Sequence, residues 1–141
     1  MFMEIKIKLG KEEITLDDNF LKIDESNLNE FMREYAGRYN MYQQLHAKAQ
    51  ALSNKVSDRY DMLYSSKFVE FKTNPGGSDK FVECKVRADN EVAAVAELCR
   101  IYKRNLASIT GFLKSCDRAF ESAKEMSYNL RKEMSSYPYS S

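Results

Sequence analysis

Lys48, Lys55, Arg59 and Lys67 set four cations along one stretch of chain, with Tyr35, Tyr39 and Tyr42 ahead of the row and Tyr60 and Tyr64 beside it. Lys48, Lys55 and Arg59 are separated by seven and then four residues, steps that return to one face of a helix, and Lys67 continues the row. Cations neutralise phosphates and aromatic rings stack on unpaired bases, which is what sequence-tolerant binding of single-stranded nucleic acid requires. Arg38 and Tyr60 are outlying members of the candidate set. The same residues also have a plainer reading. Tyrosines on an amphipathic helix are commonly half-buried core, and a few cations are commonly a solvated face. Arg59 separates the two, because it falls on an apolar seam and must find an acidic partner or emerge where helices part. A second basic cluster, Arg100, Lys103 and Arg104, fits a backbone-tracking surface and pairing with acidic residues equally well.

Other chemistry finds little support. The one histidine, His46, has no cysteine or second histidine at metal-ligand spacing. Gly76-Gly77 is not followed by the lysine and hydroxyl of a phosphate loop. The 21 acidic residues are scattered without an evident acid/base pair. The expectation is a protein with no active site, no metal and no cofactor.

The element that must position the basic face is the long C-terminal stretch from Asn90 to Met134. Alternating steps of three and four from Val92 give Val95, Cys99, Tyr102, Leu106, Ile109, Leu113, Cys116 and Phe120 in one seam, widened by Leu98, Phe112, Ala119 and Met126. A helix of that length spans roughly 65 Å. Two outcomes are open. The broad face is either the internal core of a helical hairpin or, through Cys99, Tyr102, Leu106, Ile109, Phe112, Leu113 and Phe120, the interface of a homo-oligomer.

The fold expected is mainly α, with two long amphipathic helices and minor β additions. Alternation from Phe2 to Leu9 and a return over Glu13–Leu16 predict a short hairpin within residues 1–20. Asp24 or Ser26 then caps a basic, tyrosine-rich helix within 21–66 that contains Gly37. In residues 67–89, Lys67–Lys72 and Lys80–Val86 flank Asn74-Pro75-Gly76-Gly77, the trace of a second hairpin or of extended arms with a mobile tip. Asp89-Asn90 opens the final helix (90–134), and the uncharged residues 135–141 form a frayed tail.

Overall charge is nearly balanced, with 22 basic and 21 acidic residues, so a globally basic partner-binding surface is not indicated. Locally it is uneven: Met1–Glu34 holds five basic and nine acidic residues, Arg38–Lys72 six and three. Cys84, Cys99 and Cys116 read as reduced core residues, and no apolar run nears the about 18 residues needed to cross a bilayer, so a cytoplasmic, unexported protein without a membrane partner is expected.

From Leu21 to Met134 this order of parts resembles the phage UvsY family of recombination mediators. The resemblance rests on the Leu21-Lys22-Ile23-Asp24 entry with Leu28, the basic helix with Lys55, Arg59, Tyr60 and Tyr64, a glycine-bearing connector, the Asp89-Asn90 helix start and the long C-terminal helix. Two features depart from the family pattern: Ser57 stands where a lysine precedes the basic-helix arginine by two residues, and the segment Phe2–Leu16 is additional. The resemblance implies a ring of six or seven chains joined through the C-terminal region. It implies weak binding of single-stranded DNA along the basic helices, and help in loading a recombinase onto DNA coated with single-strand binding protein.

Overall fold

The computed structural model describes residues 4–136. Phe2 and the tail from Tyr137 onward lie outside the described residues. The elements are strands β1 (Glu4–Leu9) and β2 (Glu12–Asp17), a 3-10 turn over Asp18–Leu21, and helices α1 (Leu28–Thr73), α2 (Asp79–Ala88) and α3 (Asn90–Ser136). The chain is mainly helical with one short N-terminal hairpin, as the sequence predicts. The described residues divide into two compact units, one of residues 4–7, 13–46 and 108–136, the other of 8–12 and 47–107.

Local sequence explains the element ends. Gly10 holds φ 63° at the first position of the two-residue β-turn, where that backbone costs a side chain most. Asp24 organises the entry to α1: its carboxylate accepts from the Ser26 hydroxyl and from the Ser26 and Asn27 amides. Those bonds, the Ser26 hydroxyl foremost, hold its pKa below the usual carboxylate value. Asp89 caps α3 by accepting from the Glu91 and Val92 amides at 3.1 and 3.2 Å. α1 runs through Gly37 without a break.

In the first unit, the early part of α1 packs on the later part of α3. Tyr35 stacks on Phe120 at 4.3 Å between centroids, and Tyr42 meets Phe112 edge-on at 4.8 Å. Ile109, Cys116 and Ala123 are buried in the same unit, a side chain the size of Ile109 contributing roughly 1.5–3 kcal/mol and the alanine methyl less. Burial pushes the Cys116 thiol up to about 11, and burial likewise raises the Tyr35 and Tyr42 hydroxyls above the ordinary tyrosine value. In the second unit, Val82, Val86 and Val92 form a sealed cluster on which Tyr60, Leu63, Tyr64, Phe68 and Phe71 pack.

Residues 67–89 correct the sequence reading. In place of a second hairpin or extended arms, α1 continues to Thr73 and α2 occupies Asp79–Ala88. Lys67–Lys72 contains no helix breaker, so α1 extends until Asn74-Pro75 stops it. Phe68 and Phe71 are three apart and Val82 and Val86 four apart, the spacing of one helical face, and that face fills the valine cluster. Gly76 and Gly77, at φ 79° and 124°, turn the chain, and a side chain at Gly77 would meet the Phe81 ring at 2.8 Å. Ser78 then caps α2 by accepting from the Phe81 amide at 3.2 Å.

Candidate nucleic-acid interface

Each predicted cation has a definite place. Lys48, in the second unit, pairs with Glu12, the first residue of β2, at 2.6 Å, and both side chains are solvent-exposed. Lys67 is much less accessible. Its side chain is 19% exposed, and its ammonium stands 3.7 Å from Asp89 and 3.7 Å from Glu70, near the Phe71 ring. Arg38 belongs to the first unit, where it pairs with Glu34 at 3.2 Å and hydrogen-bonds the Tyr42 hydroxyl.

Lys55 and Arg59 differ from these three. Both are exposed, and among the described residues neither has an ion-pair or hydrogen-bond partner. They lie one helical turn apart on α1 and line an open groove of about 770 Å³ against the start of α3. Val95, Leu98 and the 75% exposed Met62 are apolar members of its lining, and Asp58 and Glu91 its acidic ones. The arginine that sequence placed on a seam thus emerges beside a groove with its guanidinium accessible.

The tyrosines fall into two groups. Tyr35 and Tyr42 are buried in the first unit, and Tyr39 stacks on Tyr35 at 5.3 Å. The Tyr39 hydroxyl donates to Asp117, which with burial raises its pKa. These rings are core. Tyr60 and Tyr64, 6.0 Å apart, are half-buried and retain a solvent-facing side along a smaller cleft of about 390 Å³ with Asp61, Ser65 and Arg87. Sequence reasoning missed Arg87, because a hairpin reading of 67–89 gave it no position. The Val82–Val86 step and Ser78 three residues ahead of Phe81 were the signals for α2, and hence for Arg87 in its last turn.

The seam residues are also placed. Ile109 and Phe112 are buried within the first unit, while Leu113 and Phe120 there are half-buried. In the second unit Cys99, Tyr102 and Leu106 are half-buried, with the Cys99 thiol directed at the Val56 carbonyl at 3.6 Å. In the basic cluster on α3, Arg100 holds Glu97. His46 shares a 3.1 Å hydrogen bond with the Thr110 hydroxyl, which occupies its Nε2. Among the described residues no group of three or more His, Cys, Asp or Glu is arranged to hold a metal, and no helix is long and apolar enough to cross a membrane.

Comparison with protein-family models, with curated proteins and with solved structures finds no match.

Proposed function

We propose that this chain is a single-stranded-DNA-binding accessory protein of recombination, a cytoplasmic homo-oligomer that helps load a recombinase onto DNA coated with single-strand binding protein. The observation that carries the reading is the pair Lys55 and Arg59, two accessible cations one turn apart beside an open groove, with no carboxylate of the described residues within ion-pair distance, though Asp58 and Glu91 line the same groove. Two phosphate contacts bind a strand weakly. An oligomer repeats them, and several weak sites on one strand gain affinity through effective concentration. The resemblance of the order of parts to that of UvsY-type mediators is what supports a place in recombination.

A second reading has its own support. Lys48, Lys67, Arg38 and Arg100 all hold carboxylates of the same chain, so these cations serve the fold, which favours a helical scaffold without nucleic-acid activity even though the pairs are not between chains. Salt dependence separates the two. Strand binding that weakens steeply as salt rises supports the mediator, because neutralised phosphates release counterions. A chain that leaves the strand unbound even at low salt is the scaffold.

A further inference from the structure

α2 brings to α1 a cation that the linear sequence did not reveal. Arg87 is exposed, and among the described residues it has no ion-pair or hydrogen-bond partner. It closes one side of the cleft whose other walls are Tyr60, Asp61, Tyr64 and Ser65. The inner sides of the two tyrosines rest on the Val82, Val86 and Val92 cluster, so the rings form a fixed ledge. At about 390 Å³ the cleft lies at the small end of ligand sites.

A guanidinium beside two anchored aromatic rings suits a ligand that is flat and aromatic at one end and anionic at the other. We infer that this cleft is a pocket for one unstacked nucleotide of a single strand, its base against Tyr60 and Tyr64 and its phosphate on Arg87. The inference rests on the strand-binding reading above and deepens it, because Lys55 and Arg59 supply charge while this cleft supplies contact with a base. Asp61 lines the same cleft, and a carboxylate there can accept from an amino or imino N–H on a base edge.

The test is binding of an oligothymidylate and of an abasic strand of equal length to the full chain, joined to photocross-linking with a 5-iodouracil-substituted oligonucleotide. The parent should prefer the base-bearing strand by roughly tenfold, and the cross-linked peptide should contain Tyr60 or Tyr64. Arg87→Ala, at an exposed position that leaves the fold intact, should lower the cross-link yield several-fold, and Arg87→Lys should restore part of it. Equal binding of the two strands, cross-links confined to other peptides, or an unchanged yield in Arg87→Ala overturns the pocket. In the first of these cases strand binding through Lys55 and Arg59 still stands. A parent that binds neither strand at low salt overturns both readings.

Discussion

Replacing Lys67 by methionine should cost stability and leave strand binding nearly intact. Its ammonium stands 3.7 Å from Asp89 and 3.7 Å from Glu70, and the Lys67 and Asp89 side chains are 19% and 18% exposed. At about 4 Å two unit charges attract by about 4 kcal/mol at an effective dielectric constant of about 20. Desolvation and the ordering of the lysine stem offset much of that, leaving a net contribution of about 1–2 kcal/mol. Methionine keeps the apolar stem near Phe71, so packing loss is small. For a chain of this size the melting temperature should fall by roughly 3–6 °C, read by circular dichroism at 222 nm. Asp89→Asn should cost a similar amount, since asparagine still caps α3 but no longer carries the charge. The double variant should then be little worse than either single one. Affinity for an oligothymidylate should stay within about twofold of the parent, because the lysine is already engaged. An unchanged melting temperature together with a strand affinity reduced tenfold would refute this reasoning and return Lys67 to the phosphate-binding set.

Glu12→Gln frees Lys48 from its partner at the start of β2, so strand affinity at low salt should rise a few-fold; no rise would show that Lys48 lies off the strand's path. Alkaline stability follows from the buried thiol and phenols. The unfolded chain loses the Cys116 proton near the ordinary value of 9.0, the folded chain only near about 11, so the unfolded state binds fewer protons between them. Stability is therefore full below about pH 9 and falls as pH rises, with Tyr35 and Tyr42 adding to the loss. The urea midpoint should be level from pH 7 to 8.5 and lower at 10.5, and Cys116→Ala should shallow the decline; a level midpoint up to pH 10.5 contradicts the burial. Leu106→Glu combined with Leu113→Glu should lower the solution mass measured by light scattering, whereas an unchanged mass would assign those side chains to the chain's own core.

Long-period apolar patterning made the two main helices readable. Asn90 was the expected and observed start of α3, and Asp89 its cap, because the capping carboxylate and the helix it serves are neighbours in sequence. The connector was misread for the converse reason. Val82 and Val86, four apart, fit both the strand and the helix period, and the Pro and paired Gly between the two similar segments suggested a hairpin turn. The three-residue step from Phe68 to Phe71 and the common burial on one cluster are what point to helices. Candidate cations were legible as residue types, but their availability was not. Glu12, which occupies Lys48, and Asp89, which with the nearby Glu70 occupies Lys67, are distant in sequence and brought near by folding. Lys55 and Arg59 stay exposed beside a groove to which α3 contributes apolar residues, so their availability, unlike that of Lys67, survives folding. Tyr35 and Tyr42 took the plainer reading and became core, which the partner rings Phe120 and Phe112 decided.

Strand binding through Lys55 and Arg59 is tested most directly by titrating a labelled oligothymidylate with the parent and with the Lys55→Ala, Arg59→Ala double variant between 50 and 200 mM salt. Two phosphates neutralised per protomer give a slope of about −1.4 in log affinity against log salt, a loss of about sevenfold over that range for each protomer engaged. The account predicts that steep decline in the parent, and in the double variant weak binding with a flattened slope. A parent that ignores the strand at 50 mM salt, or a double variant that binds it as the parent does with the same slope, would contradict it.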